Sequence, residues 1–150
     1  MSIVALITWI TAAAGGLYLV SIWLIEYDRE YQASAATRLP PVVLFSHVTL
    51  AGGGLLVWIG YLVFDSDKMA WTAVLALLLA ATLGITMAIR WIGVYRETRV
   101  LRLQGAVDGR AIGLGPPERN FPLPVVIGHG VFAVTTIALV LLTALGVGGS

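Results

Sequence analysis

Four long apolar blocks, separated by short polar segments, dominate the pattern along the chain. They cover 3–25, 41–64, 69–94 and 123–147, and each is at least as long as the roughly 20 residues that a helix needs to cross a bilayer core of about 30 Å. An open sheet would leave backbone groups unpaired in lipid, and the blocks lack the alternation of barrel strands. The pattern predicts an all-α integral membrane protein, an up-down bundle of four transmembrane helices in one domain covering residues 1–150.

Composition supports this assignment. Hydrophobic residues make up 59% of the chain and charged residues 11%, with a mean hydropathy of +0.93, far from the values of a soluble domain. The first block lacks a basic leader, so we expect a retained helix and not a cleaved signal. Aromatic residues predict belts at both membrane interfaces. They are Trp9, Trp58, Tyr61 and Trp71 at one, and Trp23, Tyr27, Trp91 and Tyr95 at the other.

Basic residues predict the orientation. The connection at about 96–120 carries five arginines and the first connection two, whereas the second has only Lys68. The basic connections should face the cytoplasm, which places both termini outside. The abundance of arginine, alanine, valine and glycine suggests a bacterium, and hence its cytoplasmic (inner) membrane. We expect the third helix to continue for a turn or two past 94, followed by a flexible Gly- and Pro-rich connector. A net charge of +1 gives no sign of nucleic-acid binding.

The two histidines are the strongest functional signal. His47 and His129 are the only histidines in the chain, and each lies seven residues after a proline, Pro40 or Pro122. Because a helix rises about 1.5 Å per residue, both side chains should lie at one depth, about 10 Å into the membrane. Two ligands at one level predict a shared metal centre.

An internal duplication relates the two halves of the chain. Helix 1 aligns with helix 3 and helix 2 with helix 4, which predicts a pseudo-two-fold axis along the membrane normal with the histidines as symmetry mates. The aligned residues are Ala12/Ala80, Ala13/Ala81, Gly16/Gly84, Trp23/Trp91, Tyr27/Tyr95 and His47/His129. Short connections favour antiparallel neighbours and so place helices 2 and 4 on a diagonal.

Small residues surround the predicted site. Ala51 and Ala133 follow the histidines by one turn, and Gly54 continues the same face of helix 2. We predict that they leave room for a flat porphyrin ring, and that Gly16 and Gly84 let helices 1 and 3 approach its edges. The alternative is ordinary packing of small residues between membrane helices.

The ligand inventory favours haem over other occupants. Zinc and copper sites use three or four protein ligands, and the chain has no cysteine and no acidic residue near the histidines. A proton pathway would add intramembrane carboxylates. Arg90 is predicted to pair with a haem propionate or, alternatively, to snorkel to the head groups. Arg38 and Arg119 are weaker propionate candidates.

With its paired Pro-x6-His elements, the chain resembles small membrane b-type cytochromes, in which a four-helix bundle carries haem between histidines of two helices. The resemblance implies one non-covalent haem b with His47 and His129 as axial iron ligands. With both axial positions filled we expect electron transport more than catalysis, with a quinone or a redox protein as partner. The second ring nitrogen of each histidine should donate to a carbonyl one turn earlier or, for His47, to Ser46.

Other functions stay open at this point. A histidine can also hydrogen-bond between helices and merely lock a bundle. The chain would then be a haem-free accessory or assembly subunit of a larger membrane complex. Transport or sensing of a small molecule is a further alternative, and Gly-rich faces are compatible with a homo-oligomer as well as with packing inside one chain.

Overall fold

The chain folds as a bundle of four long helices. The structure, a computed structural model, describes residues 1–31, 37–103 and 116–147. Its elements are α1 (Ser2–Tyr31), α2 (Pro41–Phe64), α3 (Asp67–Leu103), a short 3₁₀ helix (Pro117–Asn120) and α4 (Leu123–Ala144). Each α-helix contains a stretch long and apolar enough to cross a membrane. The predicted fold class, a four-helix membrane bundle, is confirmed.

Local sequence signals set the helix ends. Pro40 and Pro122 take extended conformations immediately before α2 and α4, where a missing backbone N–H costs no helical hydrogen bond. Asp65 closes α2 in the left-handed region at φ 49°, and its N–H bonds the Tyr61 carbonyl. Because α3 starts at Asp67, this tight turn makes α2 and α3 antiparallel neighbours.

The observed bounds differ from the predicted spans outside the membrane. α2 has the predicted bounds, and α3 continues past 94 to Leu103, as predicted. α1 continues past 25 to Tyr31, beyond its predicted span. In both helices, polar sequence that favours a helix follows the apolar block. α4 ends at Ala144 and not at 147, and Gly146 takes a positive φ of 74° just beyond it. Apolar length therefore predicted the spans, whereas capping residues and polar extensions decide where each helix stops.

The predicted flexible connector before α4 is wrong in its last part. Pro117 and Glu118 are buried in the 3₁₀ helix, packed against the bundle. The remainder of the predicted connector, 104–115, lies outside the described residues. We call the end of the bundle at which α2 and α4 begin the proline end.

The helices form two closely packed pairs. α2 packs mainly on α3, and α4 mainly on α1, with smaller contacts between the pairs. α2 and α4 are thus not neighbours and face each other across the diagonal, as predicted. One buried aromatic cluster lies at the end opposite the proline end, around Trp9 and Trp58. A second, around Trp23, lies at the proline end, and the histidines lie between the two clusters.

The tryptophans lie near the predicted levels but mostly do not face the lipid. Trp9, Trp23, Trp58 and Trp91 are all buried, and only Trp71 is exposed. The indole N–H of Trp58 donates to the Ser2 carbonyl at 3.3 Å. Four of the five tryptophans therefore close the two ends of the bundle from inside.

Candidate functional site

His47 is held by the neighbouring helix. Its Nδ1 lies 2.8 Å from the Ala80 carbonyl oxygen of α3. A carbonyl only accepts, so Nδ1 must carry the proton and Nε2 keeps a free lone pair. The acceptor is therefore a carbonyl of α3, and the predicted acceptors, Ser46 or a carbonyl of α2 itself, are wrong.

Gly84 makes this contact possible. The carbonyl of a helical residue points toward the residue four positions later, so Gly84 lies beside the Ala80 carbonyl. A Cβ at Gly84 would come within 3.1 Å of Cε1 and 3.5 Å of Nδ1 of His47. The missing side chain lets the imidazole reach the backbone of α3.

The same arrangement is repeated at His129. Nδ1 of His129 lies 2.8 Å from the Ala12 carbonyl oxygen of α1. A Cβ at Gly16 would come within 3.0 Å of its Cε1 and 3.3 Å of its Nδ1. Gly16 and Gly84 were predicted to face the edges of a porphyrin, and in the structure they contact the imidazoles. The sequence signal was an Ala-x3-Gly pair at equivalent positions of helices 1 and 3, which the duplication had aligned without assigning a role.

The two rings approach each other across the bundle. Their centres are 6.2 Å apart and their planes are inclined by 69°. For metal–nitrogen bonds of about 2 Å, two imidazoles that share one ion have ring centres roughly 6.3 Å apart. Coordination would set the direction of each metal–nitrogen bond and not the angle of the ring about it, so the inclination is compatible with a shared ion. The spacing and the free Nε2 atoms fit a pair of axial ligands.

A small cavity lies beside the rings. It has a volume of about 70 Å³, within free space of about 440 Å³ that includes its openings. Ala51 and Ala133, which were predicted to leave room for a porphyrin, line it. The other lining residues besides the two histidines are Trp9, Ala12, Ala13, Leu77, Ala80, Ala81, Thr136 and Ile137. Pockets for cofactor-sized ligands occupy about 300–1,000 Å³, so a haem fits the ligands and their spacing but needs the wall residues to separate.

Two predicted site residues lie elsewhere. Gly54 is buried and does not line the cavity; a Cβ there would come within 3.0 Å of Ala76 and 3.1 Å of the lining residue Trp9. Arg90 is exposed, and its Nη1 donates to the Arg38 carbonyl at 3.3 Å. The Arg38 side chain is likewise engaged, in a bidentate ion pair with Glu97 at 3.0 and 2.8 Å.

The available metal-binding side chains limit which kind of metal centre the site could hold. Within the described ranges, no group of three or more His, Cys, Asp or Glu side chains could hold a metal ion. A bare zinc or copper centre would want more ligands than two. Two opposed imidazoles suit an ion whose remaining coordination positions are filled by a macrocycle.

Comparison of the chain with protein-family models, with curated proteins and with solved structures finds no match. Any functional conclusion therefore rests on the residues and geometry above.

Proposed function

We propose that this chain is a membrane b-type cytochrome that holds one non-covalent haem b between His47 and His129 and transfers electrons. The observation that carries the proposal is the pair of carbonyl-anchored imidazoles on diagonal helices, with centres 6.2 Å apart. This spacing is close to the roughly 6.3 Å expected for two imidazoles that share one metal ion. It is supported by the small residues that line the adjoining cavity.

The protein supplies ligand orientation and basicity. Donation from Nδ1 to a carbonyl fixes the tautomer and ring angle of a metal-binding histidine and makes its other nitrogen a better ligand. Here both acceptors are backbone atoms of long helices, Ala12 of α1 and Ala80 of α3, so neither can rotate away. Both ligands are held before any metal binds.

Haem bound in this way would supply a one-electron redox couple. With both axial positions filled by imidazole, no coordination site remains for oxygen, so the proposed role is electron transfer. The proposed setting is the cytoplasmic membrane of a bacterium with both termini outside. A lipid quinone or a redox protein, including another subunit of a larger complex, would be the partner.

An absorption spectrum tests the proposal directly. Protein made in a haem-replete host and purified in detergent should show a sharp Soret band that shifts on reduction with dithionite. His47→Ala or His129→Ala should abolish the low-spin spectrum, because each removes one axial ligand. Ser46→Ala is the matched control, since Ser46 is adjacent to His47 in sequence and is not the acceptor of its Nδ1 proton.

A colourless wild-type protein would contradict the proposal. The same hydrogen bonds also join α2 to α3 and α4 to α1, so histidines that only lock the bundle would then explain the geometry. In that case His47→Ala should lower stability without any spectral change. That result would favour the accessory-subunit alternative.

A further inference from the structure

Glu118 is a fully buried carboxylate at the proline end, with 0% of its surface exposed. It lies in the 3₁₀ helix that precedes α4. An ionised carboxylate is costly to bury unless it is fully hydrogen-bonded. The partners of Glu118 should therefore reveal why the fold keeps an acidic residue there.

Its carboxylate captures the segment that precedes α2. Oε1 accepts the backbone N–H of Arg38 at 2.6 Å, and Oε2 accepts the hydroxyl of Thr37 at 2.9 Å. Bonds to a charged acceptor are about twice as strong as neutral ones. Glu118 thus ties the start of one histidine-bearing helix to the segment just before the other.

The remaining two helices join the same network. The Trp91 indole of α3 donates to the backbone carbonyl of Glu118 at 3.1 Å. The Trp23 indole of α1 donates to the Thr37 hydroxyl oxygen at 3.2 Å, and the Leu39 N–H donates to the same oxygen at 3.1 Å. The Thr37 hydroxyl therefore accepts two bonds while it donates to Glu118, which uses its full capacity.

We infer that Glu118 is a positioning residue that sets the separation and register of α2 and α4, and through them the gap between His47 and His129. Both histidine helices start beside it, at Pro41 and Leu123, and α2 and α4 have no extensive contact of their own. At this end they are joined indirectly, through the buried cluster around Trp23 and through the hydrogen bonds of Glu118. The role of this gap in holding haem rests on the proposed function, whereas the spacing of the helices does not.

A distance measurement tests this inference without haem. The chain has no cysteine, so two introduced cysteines can carry spin labels at defined sites. Val42→Cys and Leu123→Cys place labels on exposed positions at the starts of α2 and α4, and Phe64→Cys with Leu145→Cys reports on the opposite end. Pulsed electron paramagnetic resonance then gives the distribution of distances between α2 and α4 at each end.

In this background Glu118→Gln should shift or broaden the distance at the proline end by about 1–2 Å, the scale on which packed helices slide. The label pair at the opposite end should be unaffected. Thr37→Val should act in the same direction, and the double variant should change the distance by less than the sum, because both residues belong to one network. Glu97→Gln is the control, an exposed carboxylate that pairs with the Arg38 side chain and not with its N–H.

Unchanged distances in both Glu118→Gln and Glu118→Ala, in protein that keeps its helical circular dichroism, would overturn the inference. If Glu118→Ala does not fold, the distance in Glu118→Gln decides. In haem-containing protein, Glu118→Gln should also broaden the low-spin resonance, since the angle between the imidazoles becomes less uniform. Colourless wild-type protein would overturn the proposed function alone, because the distance measurement still decides the role of Glu118.

Discussion

Adding one methyl group at Gly16 or Gly84 should disturb the imidazole anchored beside it. In Gly16→Ala the new Cβ would lie 3.0 Å from Cε1 of His129, and in Gly84→Ala it would lie 3.1 Å from Cε1 of His47. Ordinary contacts of this kind begin at 3.4 Å. Neither ring can yield freely, because its Nδ1 is bonded to a backbone carbonyl at 2.8 Å.

The size of the effect follows from three contributions. Extra methyl groups in a packed interior cost about 1–3 kcal/mol. Weakening the histidine hydrogen bond destabilises the fold by up to about 1 kcal/mol more. Replacing glycine by alanine in a helix, in contrast, stabilises the fold by roughly 0.5–1 kcal/mol. Together these give a loss of roughly 0–3.5 kcal/mol of unfolding free energy, centred at about 2 kcal/mol.

Reversible unfolding in mixed detergent micelles, followed by circular dichroism, measures this loss. Gly130→Ala and Gly53→Ala are matched controls, since a Cβ at either position would meet nothing within 4 Å. These controls should be neutral or slightly stabilising. In haem-containing protein the Gly16 and Gly84 variants should also bind less haem, because the displaced ring no longer points along the shared axis.

Equal stability of Gly16→Ala and Gly130→Ala would refute this reasoning. It would mean that the imidazole has room to move and that its bond to the Ala12 carbonyl is not a tight constraint. The case for pre-positioned ligands would then fail, whatever the absorption spectrum shows.

Two further predictions concern other parts of the bundle. Gly54→Ala should destabilise the protein by about 1–3 kcal/mol, because the new Cβ would lie 3.1 Å from Trp9. The loss can be measured by tryptophan fluorescence during unfolding. Gly53→Ala is the control, since a Cβ there meets nothing within 4 Å. The hydrogen bonds that Arg38 donates to the Glu97 carboxylate raise the pKa of Arg38 above its already very high usual value. A cation whose pKa is higher in the folded than in the unfolded protein stabilises the fold by a constant amount at every pH below its unfolded-state pKa. Arg38 stays charged throughout the range of about pH 6 to pH 9, so its ionisation should not change the unfolding midpoint there. A difference between wild type and Glu97→Gln that varies with pH in this range would contradict that assignment.

Features that depend on local sequence were predictable. The four spans follow from apolar length, and the starts of α2 and α4 follow from Pro40 and Pro122. The diagonal placement of α2 and α4 follows from short connections. His47 and His129 could therefore be expected at one level and on facing helices, and the structure brings their rings within 6.2 Å.

Features that depend on contacts between helices were not predictable. The carbonyl that accepts the His47 proton belongs to Ala80, 33 residues away in sequence, and no local pattern marks it. Glu118 belongs to the connection that the sequence predicts to be flexible, because its neighbours there are Gly, Pro and Arg. Only the fold shows that a threonine hydroxyl and a backbone N–H 80 residues away neutralise the cost of burying it.

The pseudo-two-fold symmetry is well kept at the histidines and is lost about two helical turns further from the proline end. At the histidine level both halves use the same alanine carbonyl, glycine and imidazole. Two turns from the histidines, Trp9 fills the space beside Gly54, whereas the symmetry mate of Gly54, Thr136, is buried and donates to the hydroxyl oxygen of Thr8 at 3.0 Å. Both arrangements, Trp9 beside Gly54 and Thr136 bonded to Thr8, fill the interior of the bundle. Packing alone therefore does not require the two halves to match. The residues that orient the two rings all match. A site that needs two equivalent ligands requires this equivalence, whereas a simple interhelical lock does not.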